Sequence, residues 1–175
     1  ASTDGLGETL LPLAQQVVAD FVAARAREGA RLTDLLMARL AELRRLAKEA
    51  APLVPQVVQA QKERFLTRWS EALGAGDAKV SPEAGPERAL AEATAFAIRI
   101  DVAEELGRLA AHLDEIESVL NKGGDIGKRL DFLIQELHRE ANTLGSKSTS
   151  LEMTRISVDM KVLIEQMREQ VQNIE

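Results

Sequence analysis

Cysteine is absent from this chain, which excludes a disulfide framework and thiolate chemistry and fits a cytoplasmic protein. Aromatic residues make up only 3% of it against 45% apolar residues, so any core is built from Leu, Ile, Val, Ala and Met. There is no basic excess, the net charge being −6. A nucleic-acid binder ordinarily shows a basic face, so any contact with a polyanion has to come from a local patch, from metal ions or from further protein. No apolar run approaches the roughly 20 residues that cross a bilayer, and no signal peptide is visible. Neither a Walker-type glycine loop nor Cys/His zinc spacing occurs, and nothing nominates a nucleophile. The histidines are His112 and His138 alone.

What is abundant is Ala, Leu, Glu, Arg and Lys, the composition of long helices and coiled coils. No segment alternates apolar with polar residues for long, so the fold class read from the sequence is all-α. Prolines and glycines divide the chain into about five helices. The first runs from near Thr9 to Ala50, with Leu32, Leu36, Leu40, Leu43, Ala47 and Ala50 recurring at steps of four and three, the stripe of a packed helix. Pro52 and Pro55 end or kink it. A second helix covers about Val54 to Leu73 and carries Trp69. Residues 77–86, with Pro82, Gly85 and Pro86, read as a loop.

The third helix covers about Glu87 to Asn121. Its Val102, Leu106, Leu109, Leu113, Ile116 and Leu120 form a heptad seam. Gly123-Gly124 ends it, and Asp125 is the expected N-cap of a fourth helix from Ile126 to Leu144. Ile126, Leu130, Leu133, Leu137 and Leu144 mark the buried side of that helix, and Gly145 is its expected C-terminal cap. The last helix, about Ser150 to Ile174, has Ile156, Met160, Leu163, Met167, Val171 and Ile174 as its stripe. The expected architecture is antiparallel helical hairpins. Residues 1–76 read as an N-terminal hairpin serving as linker or oligomerisation arm, 77–86 as a loop, and 87–175 as a C-terminal helical domain.

Two polar stripes run opposite the apolar seams. On the third helix Asp101, Glu105, Arg108 and His112 step by 4, 3 and 4 along one face, with Glu104 beside them. A carboxylate, a guanidinium and an imidazole so aligned can bind a metal or a phosphate and move a proton. On the fourth helix Lys128, Asp131, Glu136, Arg139, Glu140 and Thr143 form a broader face. Glu136 and Glu140, four apart, can converge on one divalent cation. Asn142, Thr143, Ser146 and Lys147 place amides, hydroxyls and an ammonium at the end of that helix. A solvated face of i,i+4 pairs, each contributing a few tenths of a kcal/mol, is the commoner account of such spacing in amphipathic helices.

The run Gly127-Lys128-Arg129-Leu130-Asp131-Phe132-Leu133, then Gln135-Glu136, then Arg139-Glu140-Ala141-Asn142-Thr143-Leu144-Gly145-Ser146-Lys147, resembles the signature of the YicC-like family of bacterial RNA-cleaving, stress-associated proteins. Arg27-Glu28-Gly29, the series Asp101/Glu104-Glu105/Arg108/His112, and the ending Arg168 to Glu175 are similar to that family as well. The resemblance covers most of the chain and is densest from Ile100 onward. His138 departs from the family's more usual Asn, and Ala111 from its Ser. Neither removes a charged member of the stripes.

The resemblance implies a bacterial cytoplasmic endoribonuclease of two parts, an N-terminal domain with β structure followed by these helices. On that reading the chain begins inside a longer protein, in keeping with the absence of an initiator Met. It implies activity linked to small-RNA turnover and to stress or stationary phase, and assembly as ring-like homo-oligomers, hexamers in the full-length protein. The metal-assisted reading built on it gives Glu105, His112, Glu136 and Glu140 to catalysis and to a divalent cation, Mn²⁺ or Mg²⁺. Arg108, Lys128, Arg139, Asn142, Thr143, Ser146 and Lys147 then bind the RNA. The alternative is a helical oligomerisation and RNA-binding scaffold, with cleavage in the missing domain or in a partner nuclease.

Overall fold

A computed structural model describes residues 5–74, 85–148 and 150–172. In order these form α1 (Leu6–Ala50), a 3-10 turn (Ala51–Leu53), α2 (Val54–Gly74), α3 (Gly85–Lys122), α4 (Gly127–Lys147) and α5 (Leu151–Gln172). Among the described residues there is no strand, so the all-α expectation holds. The chain divides into two units, residues 1–38 and 39–175. Among the described residues no helix is long and apolar enough to cross a membrane.

The helix ends follow the local chemistry. Pro52 sits in the 3-10 turn that separates α1 from α2, where its missing N–H interrupts the α-helical ladder. Pro12 lies inside α1, which therefore continues past one lost backbone hydrogen bond. Gly85 and Pro86, read from the sequence as loop, belong instead to the first turn of α3. Proline suits that position because its N–H would have no partner there. The rest of the expected loop, residues 77–84, lies outside the described residues.

Between α3 and α4 the chain reverses through Gly123 and Gly124, both at positive φ (66° and 87°). That region is open to glycine at little cost and to few other residues. Two expectations about α4 are corrected. Asp125 does not cap it: Ile126 occupies the N-cap position and no side chain bonds there. Gly145 does not end it either, since the helix runs on to Lys147. A Cβ at Gly145 would lie 2.4 Å from the Ser157 hydroxyl oxygen of α5. The glycine thus allows two helices to approach closely, and Ser157 uses that approach to donate to the Ala141 carbonyl at 2.7 Å.

Within residues 39–175, α2 packs on α3, α3 on α4 and α4 on α5. The links from α3 to α4 (residues 123–126) and from α4 to α5 (residues 148–150) are of the length that joins antiparallel neighbours. The α3 seam is buried at Val102, Leu109, Leu113, Ile116 and Leu120, with Leu106 half-buried. The buried apolar residues of α4, which packs on both α3 and α5, are Leu130, Leu133, Ile134, Leu137, Ala141 and Leu144. On α5 the buried residues include Met153, Ile156, Met160, Ile164 and Met167. Ile164 rather than Leu163 takes the inward place, and Ile174 lies outside the described residues. Three methionines at intervals of seven fill this face, where a flexible thioether adapts to the gaps that an aromatic-poor core leaves. Arg44 ties the end of α1 to α3, donating to Asp114 at 2.8 Å and to Glu117 at 2.5 Å.

Candidate functional site

The core of the α3–α4 interface contains one carboxylate. Glu140 occupies a position in the repeat Leu130, Leu133, Leu137, Glu140, Leu144, at steps of 3, 4, 3 and 4. That repeat places it among the inward residues of α4, and it is 2% exposed. A buried carboxylate without a partner is strongly disfavoured. Its partner is His112 of α3, whose Nδ1 lies 3.2 Å from Glu140 Oε2. One turn earlier on α4, Glu136 is half-buried at the same interface. One ligand atom from each of His112, Glu136 and Glu140 lies within 4.8 Å of the others.

Burial acts against the ionisation of Glu140. Burial raises its pKa above the ordinary carboxylate value, and this is the largest effect. The His112 hydrogen bond and the His112 charge oppose the rise, while the fields of Glu136 and Glu105 add to it. Glu140 thus stands in surroundings that favour either its neutral form or a cation beside it.

The sequence-predicted residues separate into three groups. His112, Glu136 and Glu140 come together directly. Glu105 joins them through its field on Glu140, two turns before His112 on α3, and Arg108 lies between those turns. The Arg108 guanidinium is exposed and bonded to Glu104 at 2.5 Å; Glu104 first, then Glu105 and Glu140, raise its pKa. The third group is engaged elsewhere. Lys147 pairs with Asp101, and its carbonyl accepts from Gln61 at 2.9 Å. Thr143 donates to the Arg139 carbonyl and Ser146 to the Thr143 carbonyl, each at 3.0 Å. Asn142 lies 3.1 Å from His138 Nδ1. Arg139 is exposed. Lys128 is also exposed, and at twelve residues from Glu140 it stands about 18 Å away along α4.

Sequence reasoning missed the direct His112–Glu140 bond and the Asp101–Lys147 bridge. For Glu140 a signal was available, because a carboxylate in a leucine repeat at heptad spacing is a buried charge in need of a partner. For Asp101–Lys147 there was none, since the pairing depends on how α3 and α4 align.

In its fold the chain falls in the class of all-α helical bundles, which can carry side-chain sites between facing helices. Comparison with known proteins identifies the group within that class. The family model described as "Endoribonuclease YicC-like, C-terminal" matches residues 50–175. A protein of Haemophilus influenzae named probable endoribonuclease YicC is 43% identical over 172 residues, covering 98% of this chain and 57% of the relative. One of the same name from Clostridioides difficile is 34% identical over 152 residues, 86% of this chain and 50% of the relative. The chain belongs to the YicC-like family, and it spans about half the length of the curated relatives it matches.

The buried carboxylate sets a pH dependence. A carboxyl whose pKa is raised by folding contributes stability below its unfolded value, and that contribution is lost as pH rises through the folded value. Glu140→Gln keeps the shape and removes the charge. Thermal unfolding of the metal-free protein should therefore show the variant gaining in Tm over wild type as pH rises from about 4 to 7. A variant that becomes relatively less stable over that range would contradict the reading of Glu140 as a charge held against its preference.

Proposed function

We propose that this chain is the helical part of an endoribonuclease that cleaves RNA phosphodiester bonds with the help of a divalent cation. The observation that carries the proposal is the convergence of His112, Glu136 and Glu140 within 4.8 Å on a carboxylate buried against its preference. The names of the two relatives support RNA as the substrate.

The donor set suits Mn²⁺ well, and Mg²⁺ through its carboxylates. The 3.2 Å separation of His112 Nδ1 from Glu140 Oε2 sets an imidazole nitrogen beside a carboxylate oxygen, a mixed donor set that such an ion could share. His112, Glu136 and Glu140 would hold the ion, with Glu105 adding negative field nearby. When bound, such an ion supplies a nucleophile from water at neutral pH and polarises the phosphate.

The remaining work belongs to the chain. His112 is partly open to solvent at 22% side-chain exposure; with Nδ1, the atom that faces Glu140, given to the ion, its other ring nitrogen, Nε2, is the one that can exchange a proton with the medium as general acid or base. Arg108, tethered by Glu104, and the exposed Arg139 offer guanidinium donors to the phosphate oxygens, a match that bidentate geometry favours. Lys147 gives one of its three N–H donors to Asp101 and could offer another to the phosphate from that pair. Asn142, Thr143 and Ser146 would orient RNA after exchanging their local bonds for the ligand. Lys128 would contact RNA further along α4. From the family resemblance we place this activity in the cytoplasm, in small-RNA turnover under stress or in stationary phase.

The test is cleavage of a structured RNA by the full-length protein in Mn²⁺ or EDTA, comparing wild type with Glu136→Gln/Glu140→Gln. Wild type should cleave only with Mn²⁺, and the double variant should lose activity while remaining folded. Mn²⁺ at a hundred times its Kd should also stabilise wild type by about 2.7 kcal/mol, a rise of about 5–10 °C in Tm, and leave the double variant unmoved. Undiminished cleavage by the variant would move catalysis to the rest of the protein or to a partner nuclease.

One observation favours a second role beside the first. In the unit of residues 1–38, Leu10, Leu13, Val17, Val18, Phe21 and Val22 are each more than half exposed. With Leu6 and Leu11 they occupy about half the circumference of the first turns of α1. Such a face ordinarily meets another surface, and we assign it to self-assembly, as hexamers in the full-length protein. Val17→Glu/Phe21→Glu should lower the solution mass measured by light scattering. An unchanged mass would remove this arm from the assembly.

A further inference from the structure

Only 3% of the residues are aromatic, and one of these few stands in the open on α4. Phe132 is 48% exposed. The Arg129 guanidinium lies over its ring at 5.3 Å from the centroid, and Arg129 is in turn anchored to Glu115 of α3. The ring is thus held from one side by a planar cation that is itself fixed in place, the arrangement a stacking surface needs in order to lose little freedom on binding. Burial does not explain a phenylalanine here, because the inward places of α4 belong to Leu130, Leu133 and Leu137.

The surroundings of Phe132 are suited to an anionic strand. Lys128, one turn earlier, and Arg139, two turns later, share the outer face of α4 with it. Both are exposed, and among the described residues neither forms an ion pair. In a chain of net charge −6 this is a local basic stripe with an aromatic in its middle. Glu140 lies eight residues further on, about 12 Å along the axis. The stripe therefore leads to the His112–Glu136–Glu140 cluster.

We propose that Phe132 is a stacking platform for an unpaired RNA base, with Lys128 and Arg139 on the flanking phosphates, so that the site receives single-stranded rather than duplex RNA. This rests on the reading of the chain as RNA-cleaving and names its substrate class. Every base has a π face, so stacking on Phe132 tolerates any sequence. A duplex keeps its bases stacked on one another and offers none to the ring.

The experiment is fluorescence anisotropy of a labelled oligouridylate and of a blunt RNA duplex with the full chain, in EDTA at one fixed salt concentration. Phe132→Ala should weaken single-strand binding about 5- to 100-fold and leave duplex binding unchanged. Phe132→Leu, which keeps most of the apolar bulk, should weaken it similarly. Phe132→Trp in a Trp69→Phe background should retain affinity, and its emission should be quenched as the oligouridylate binds. If the parent binds oligouridylate and both Phe132→Ala and Phe132→Leu match it, the platform is refuted while the RNA reading stands. If the parent binds no RNA, both fail together.

Discussion

One buried carboxylate organises the functional end of this structure. Glu140 stands where the α4 heptad asks for leucine, at 2% exposure, and burial opposes its charge. An apolar residue there would pack against α3 without that cost, since replacing a buried ionic group by a hydrophobic one of similar size is often neutral or stabilising. The carboxylate is instead met by His112 across the interface and crowded by Glu136 and Glu105. The structure thus gathers carboxylates at a place where stability alone would not put them.

The rest of the fold supplies what that site needs. The heptad seam of α3 and the leucine repeat of α4 fix the register that brings His112 opposite Glu140. The reversal at Gly123 and Gly124 folds the two helices onto each other. Behind α4, the close contact of Gly145 with Ser157 and the methionines of α5 hold its other side. The Asp101–Lys147 bridge fastens the far end. Ionic contacts at the edges and apolar contacts at the centre therefore fix both carboxylate-bearing turns relative to the imidazole, as a site assembled from rigid elements requires.

The sequence made the helices legible because their cause is local. A period of three and four residues, prolines at the breaks and paired glycines at the reversal place the helix ends close to those observed. Where local signals compete with packing, they mislead. Asp125 has the right chemistry for a cap and does not act as one. Gly145 looks like a helix terminator, yet it serves a contact with α5. The site was half legible. Spacing nominated His112, Glu136 and Glu140, but grouped Glu140 with a solvated face although the repeat Leu133, Leu137, Leu144 already marked its position as internal. The partners of Lys147 and Arg44 lie 46, 70 and 73 residues away, and no periodicity within a single helix encodes such pairings.

The central claim is that His112, Glu136 and Glu140 act as one cation site. Its most direct test is electron spin-echo spectroscopy of the protein loaded with one equivalent of Mn²⁺. The account predicts modulation from a coordinated imidazole nitrogen in wild type and its disappearance in His112→Gln at unchanged fold. A bound Mn²⁺ that shows no nitrogen coupling, or the same coupling without His112, would contradict it.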